Sequence, residues 1–208
     1  SYPEKIRDLS RLALARAEIA REKSNPEQAE EETRYQPQEE EAPHTAGTAE
    51  ERLLAFIGGK AESALLMDAF NILLEEDIFR TNPQALEKLN GWVKARDASR
   101  QPAAMYAMGI LLLEKDDLSG AVKMAEEGLS KYPQSLPVQI LSLNTITVLL
   151  DKNRLQDAER LISKYPGSSP DLVFQQGALA FLKKDYSLAQ KFFREAARRA
   201  SETTAENA

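Results

Sequence analysis

The chain holds one histidine, His44, and no cysteine. That removes thiolate nucleophiles, disulfides, thiolate metal sites and any catalytic pair that needs cysteine or a second histidine. His44 lies between Pro43 and Thr45 in an acidic stretch, where no periodic element could orient its ring. The carboxylates are the next candidates. Glu30-Glu31-Glu32 and Glu39-Glu40-Glu41 could meet a basic partner or calcium; a solubilising linker is the reading favoured here. Asp116-Asp117 and Glu126-Glu127 fall on a turn and a solvated helix face, whereas acid–base chemistry needs carboxyls in environments that push their pKa values apart. They read as solubilising charge. Gly58-Gly59-Lys60 begins like a phosphate cradle, but Ala61 stands where a serine or threonine is required. The expectation is a protein that is not an enzyme, with no cofactor and no metal.

The elements that carry these residues are set by composition and pattern. At 208 residues the chain allows one or two domains, and 42% hydrophobic with 29% charged residues is a globular, somewhat polar balance. No run of about 18 apolar residues is present, and no secretory signal. The chain begins at Ser1 without methionine, consistent with processing or cropping, so an upstream anchor or targeting segment stays open; otherwise no membrane contact is expected. Absent cysteine selects neither cytoplasm nor periplasm; the cytoplasm is slightly favoured, with periplasm or an organelle left open. The net charge of −6 is unevenly placed. Residues 1–24 carry six basic and four acidic side chains, residues 25–51 carry one and nine, and residues 52–208 balance. A neutral folded part argues against nucleic acid, where a basic face supplies most of the affinity.

Residues 4–23 read as an amphipathic helix, the core of an N-terminal segment 1–24. Ile6, Leu9, Ala13, Ala17 and Ala20 form its apolar face, with Leu12 and Ile19 beside them. It is expected either to dock on a partner or the rest of the chain, or simply to pack on its own domain; a membrane-surface role is the weaker reading. Residues 25–47 read as a disordered acidic linker containing Tyr35, too poor in aliphatics to offset the entropy of ordering. Thr48-Ala49-Glu50-Glu51 is a capping-box pattern that opens the folded domain, 48–200, and Gly58-Gly59 is a plausible stop. Helix then follows helix, Asn82-Pro83 capping one of them, and no strand alternation is convincing. Residues 201–208 read as a flexible tail.

The helices repeat. Gly109 and Ala121 are small residues twelve apart, and the offset recurs at Gly177 and Ala189, and more weakly at Ile146 and Ala158 and at Leu73 and Ala85. Small residues there let antiparallel helices approach closely. The turns correspond too: Lys115-Asp116-Asp117-Leu118, Lys152-Asn153-Arg154-Leu155 and Lys183-Lys184-Asp185-Tyr186 each set polar residues before an apolar one. Units begin near Leu66, Pro102, Gln139 and Pro170, spaced 36, 37 and 31 residues. This pattern resembles the tetratricopeptide (TPR) repeat: Gly109, Ala121, Gly128 and Pro133 match that family's eighth, twentieth, twenty-seventh and thirty-second positions. The resemblance covers residues 62–199 as three to four repeats. Met105 and Val173 replace its fourth-position tryptophan. Ile146 replaces a small residue, so the third pair is expected to splay slightly. The first pair, with its longer turn after Ile78, is expected to be a general helical hairpin.

The resemblance implies an all-α, TPR-like right-handed solenoid of antiparallel helix pairs whose first helices line a concave face. Carrying the family's contact positions onto this sequence nominates Phe70, Tyr106, Leu143 and Phe174 at the fifth position. Asn71, Asn144 and Gln175 stand at the sixth, beside Ala107. Leu74, Ile110, Thr147 and Ala178 stand at the ninth. Large apolar groups beside three amides suit an extended or helical peptide, since amides bond a backbone in either polarity. None of these positions is lysine or arginine, so no clamp for an acidic C-terminal tail is expected. The competing reading is that these side chains pack within the chain. A second contact is expected through the N-terminal helix or the C-terminal array end, which becomes adhesive if Phe192 or Phe193 faces outward. The leading expectation is a non-enzymatic adaptor or scaffold subunit in a larger complex. The alternative is a chaperone-like or assembly factor that transiently shields an apolar segment of a client. An enzyme using the repeats as a platform is the third.

Overall fold

The structure, a computed structural model, describes residues 12–19, 48–59 and 63–206. The expected acidic linker, with Tyr35 and His44, lies outside them, as do the ends of the expected N-terminal helix. The described residues form eleven helices and no strand. They are α1 (residues 12–19), α2 (Ala49–Gly58), α3 (Ser63–Glu75), α4 (Ile78–Thr81), α5 (Pro83–Lys94) and α6 (Gln101–Glu114), followed by α7 (Leu118–Lys131), α8 (Leu136–Asp151), α9 (Leu155–Lys164), α10 (Pro170–Leu182) and α11 (Tyr186–Glu206). The last helix runs beyond the domain end expected at residue 200. The chain divides into two compact units, Ser1–Ala103 and Ala104–Ala208.

In the first unit α2 starts on the expected capping box. Thr48 Oγ1 accepts from the Glu51 backbone N–H at 3.2 Å, and the Glu51 carboxylate accepts from the Thr48 N–H at 3.0 Å. Gly59 ends the helix, and Arg100 donates to the carbonyls of Gly58 and Gly59 at 3.2 and 2.8 Å, placing a cation at the negative end of the helix dipole. Asn82 accepts from the N–H groups of Gln84 and Ala85, with Pro83 in the first turn of α5. The unit's aromatic centre is Phe70, fully buried, stacked on Phe79 and set edge-on to Trp92. The longer connection expected after α3 is the short helix α4. Helix α1 buries Leu12, Ala15 and Ile19, one face at helical spacing, and leaves Ala13 and Ala17 exposed. The apolar face expected from alanine periodicity is therefore rotated: the larger leucine and isoleucine bury more area per residue and set the phase. Ion pairs from Arg16 to Glu75 (2.7 Å) and from Glu18 to Arg52 tie α1 to α3 and α2.

In the second unit three turns share one hydrogen-bond scheme. Asp116, Asn153 and Lys184 adopt the left-handed conformation, at φ 58°, 57° and 65°. Their N–H groups donate to Leu113, Leu150 and Phe181, and the next residues, Asp117, Arg154 and Asp185, donate back five positions to Leu112, Leu149 and Ala180 at 2.7–2.9 Å. This Schellman ending satisfies carbonyls that the helix end leaves unpaired. Two of those next residues also cap the following helix: Asp117 accepts from the Gly120 N–H and Asp185 from the Leu188 N–H. Thus the turns that correspond in sequence share a backbone geometry.

Packing in this unit follows a regular order. Helix α8 lies against α6 and α7, α9 against α7 and α8, α10 against α8 and α9, and α11 against α10. Leu118, Ala125, Val138, Leu141, Ile146, Leu149, Ala158 and Leu161 run through a common core. The closest approach is at Gly109, where a Cβ would lie 2.3 Å from Leu141 Cδ1. Gly128 meets Val138 in the same way at 3.0 Å, and Gly177 meets the Phe193 ring at 2.7 Å.

Two stability measurements follow. Gly109→Ala forces a methyl into the buried Leu141 and should lower the unfolding free energy by about 1–3 kcal/mol, whereas Gly91→Ala, with nothing within 4 Å of the new Cβ, should raise it by about 0.5–1 kcal/mol. Urea titration of both variants checks the contrast. Lys184→Gly relieves a left-handed lysine that costs roughly 1 kcal/mol against the extra chain entropy of glycine, so the midpoint should rise or hold. A clear fall would show that the Lys184 side chain contributes more than its backbone strain.

Candidate partner-binding surface

The residues nominated from sequence separate into three groups. Phe70 and Leu74 are buried in the first unit and offer no surface, which corrects their assignment to a binding face: Phe70 is the centre of an aromatic cluster, not a rim. Asn71 beside them is half-buried. Tyr106, Leu143 and Ala178 are half-buried and packed against the core of the second unit, and Ile110 is half-buried on the same helix as Tyr106. Asn144, Thr147 and Phe174 are exposed, and Gln175 is half-buried.

The structure brings two of these together directly. Gln175 Nε2 donates to Thr147 Oγ1 at 2.8 Å, and Thr147 Oγ1 donates to the Leu143 carbonyl at 3.0 Å. This bridge sets the exposed faces of α8 and α10 side by side. The amide and hydroxyl groups keep further bonding capacity, because an amide offers two donors and two lone pairs. Phe174 is rotated about 100° from Gln175 by the helix period and turns toward α11, where its ring meets Phe193 at 5.3 Å between centroids. It remains 53% exposed.

Sequence reasoning missed part of the apolar surface. Phe181, Leu182, Tyr186 and Leu188 are exposed along with Phe174, all in the last helix pair; elsewhere the exposed large apolar side chains among the described residues are Leu14 and Leu136. Phe181 and Tyr186 meet edge-on across the α10–α11 turn, their centroids 5.5 Å apart. Their signal in the sequence was position: they flank the polar turn Lys183-Lys184-Asp185, Phe181 two residues before it and Tyr186 directly after it. Phe192 and Phe193, singled out instead, are both half-buried.

Two hollows flank the last pair. One, of about 450 Å³, is lined by Phe174, Phe193, Ala196, Ala197 and Ala200, and by Pro170 and Asp171. The other, of about 510 Å³, lies between α9 and the last pair, among Ile162, Tyr165, Leu172, Leu179, Leu188 and Phe192. Burial pushes the Tyr165 phenol up, against a hydrogen bond with Ser169. The charges near these surfaces are largely paired. On α11, hydrogen bonds from Arg198 and Arg199 hold the Glu195 carboxyl down to about 2. Between α7 and α9, Glu126 accepts from Arg160 at 2.8 Å and pairs with Lys164 at 3.1 Å. Burial pushes the Glu126 carboxyl up, but the Arg160 and Lys164 bonds outweigh it and hold the carboxyl below its usual range.

Among the described residues no group of three or more histidine, aspartate or glutamate side chains is placed to hold a metal ion, and no helix is long and apolar enough to cross a membrane. No family model, curated protein or solved structure matches this chain.

Because the folded-state carboxyl of Glu126 lies below its unfolded value of about 4.3, its pair contributes stability above that pH and loses it as pH falls through the folded value. Glu126→Gln should therefore cost about 0.5–1 kcal/mol at pH 7, as partly exposed pairs do. The gap to the parent should close as pH falls below the unfolded value. Thermal unfolding of both proteins above and below that value tests it; a gap independent of pH would assign the effect to packing.

Proposed function

We propose that this protein is a non-catalytic interaction subunit, an adaptor or scaffold that holds an extended or helical segment of another protein. In this reading the second unit is a TPR-like array: α6–α7, α8–α9 and α10–α11 are its helix pairs, and α6, α8 and α10 line its binding face. The shared Schellman turns and the order in which each pair packs on the one before support that arrangement. The observation that carries the binding reading is the joined surface of α8 and α10. There Asn144, Thr147 and Phe174 are exposed, Thr147 and Gln175 are bridged, and none of the four is needed to fill the core. Amides and a hydroxyl can read a peptide backbone while the aromatic ring buries apolar area. Tyr106 and Ile110 extend the face along α6. Phe70 and Leu74 take no part, since both are buried.

A second reading, a chaperone-like factor that shields an apolar client segment, is favoured by one feature. Phe181 and Tyr186 form an aromatic pair more than half exposed at a turn, a surface that could hold varied apolar segments without a specific polar readout. Purification of the tagged protein from its native source separates the two: a permanent subunit co-purifies stoichiometrically, a client at a small fraction. With the recovered partner in hand, Asn144→Ala combined with Phe174→Ala should weaken binding about tenfold or more, since losing even part of an aromatic contact is worth about 1.5 kcal/mol. The melting temperature should stay near that of the parent. Unchanged affinity in the folded variant would remove the α8–α10 surface from the binding site.

A further inference from the structure

We propose that the turn between α10 and α11, from Phe181 to Tyr186, docks on an anionic membrane surface, with Phe181, Leu182 and Tyr186 entering the headgroup layer and Lys184 meeting its negative charge. This goes beyond the peptide surface of α8 and α10 and rests on a different observation, the comparison of the second unit's three turns.

The three turns share one backbone geometry, so their side chains can be compared position by position. Two residues before the left-handed residue stand Glu114, Asp151 and Leu182. Glu114 and Asp151 are exposed, although α8 packs on the pair that carries the first and α10 on the pair that carries the second. A helix stacked on α10 and α11 in the same manner, from this chain or from a copy of it, would therefore leave position 182 in solvent. The first two turns hold an acid there, as an exposed position favours; the third holds a leucine, 39% exposed. The left-handed residue changes too, from Asp116 and Asn153 to Lys184. Three residues before it, Leu113 and Leu150 give way to Phe181, and two residues after it, Leu118 and Leu155 give way to Tyr186. The third turn has exchanged an acid for an apolar group at an outward position and gained two rings and a lysine.

These side chains describe what they meet. Phe181 and Tyr186 touch edge-on and are 54% and 60% exposed. All eight residues from Phe181 to Leu188 are exposed, and Phe181, Leu182, Lys184 and Tyr186 line neither of the hollows beside the pair. The patch projects rather than receives. A folded partner would have to bring a concavity shaped to two rings and a leucine, whereas the headgroup layer of a bilayer gives way around projecting apolar groups. Tyrosine suits that depth, because its ring is apolar and its hydroxyl stays hydrated. Charge fixes the sign of the surface. Lys183 is bonded to Glu159 at 2.6 Å, and Asp185 commits a carboxylate oxygen to the Leu188 N–H at 3.0 Å. Lys184 is exposed between them, and a lysine close to an anionic bilayer gains an attraction that falls off within a Debye length.

Co-sedimentation of the full chain with phosphatidylcholine vesicles that contain phosphatidylserine tests this. The bound fraction should give a partition coefficient of about 10³–10⁴ M⁻¹, at or below that of a single myristoyl chain. It should fall with added salt and on vesicles of phosphatidylcholine alone. The sister turns supply variants that the shared backbone already accommodates. Leu182→Glu copies the acid of the first turn and should lower partitioning about tenfold or more, since it carries a charge into the interface. Lys184→Asn copies the residue of the second turn and should lower it about fivefold. Far-UV circular dichroism and Tm should stay near those of the parent. Asn144→Ala with Phe174→Ala should leave vesicle binding intact, so that failure of the turn and failure of the α8–α10 surface are told apart. Absence of binding to the anionic vesicles, or undiminished binding of Leu182→Glu, would overturn the proposal. So would a dimer, or a protein partner recovered from the native source, that Leu182→Glu releases without lipid, because the turn would then be a protein contact.

Discussion

Leu141 sits on Gly109 with no space for one further carbon, and the second unit is built outward from that contact. Because Gly109 has no side chain, α8 can lie close enough to α6 for Leu141 to be buried completely. Val138, one turn earlier, then reaches Gly128 on α7, so a single helix closes on two others. Dispersion contacts weaken steeply with separation, and a small outward shift of α8 would loosen Val138, Leu141, Ile146 and Leu149 together. The rest of the core depends on this approach: α9 packs against α8, and α10 needs both.

Helices α8, α9 and α10 each pack against two earlier helices, so one core runs continuously through α7, α8, α9 and α10. Among the described residues, most of the exposed large apolar side chains, Phe174, Phe181, Leu182, Tyr186 and Leu188, lie on α10 and α11. Polar contacts do not drive the stacking; they align it. The Glu126 pair with Arg160 and Lys164 joins α7 to α9, and the Thr147–Gln175 bond joins α8 to α10, each at a partly exposed edge where such bonds are worth little individually but set register.

The first unit solves the same problem differently. Its core is aromatic, with Phe70, Phe79 and Trp92 in contact, and its helix ends are held by side chains, Arg100 from a distance in sequence on α2 and the adjacent Asn82 on α5. A large buried ring at position 70 leaves no side chain to present outward, which is why a residue nominated for recognition became structural. Alignment by repeat position could not reveal this, because position within a helix says which direction a side chain points but not what stands there to meet it.

The amino-acid sequence alone determined the local features: helices rather than strands, the capping box at Thr48, the cap at Asn82, the stop at Gly59, and three turns alike enough to share one geometry. Each depends on interactions within a few residues, and the chain carries them wherever it goes. It also marked the small residues at 109, 121, 128, 177 and 189, all of which are buried. The rest required long-range packing. The choice of Leu12, Ala15 and Ile19 over Ala13 and Ala17 in α1, the burial of Phe70 and Leu74, the exposure of Phe181 and Tyr186, and the side-by-side placing of Thr147 and Gln175 are set by residues distant in sequence. A side chain's exposure is a property of what covers it, and cover is supplied by residues that helical period and local pattern do not place.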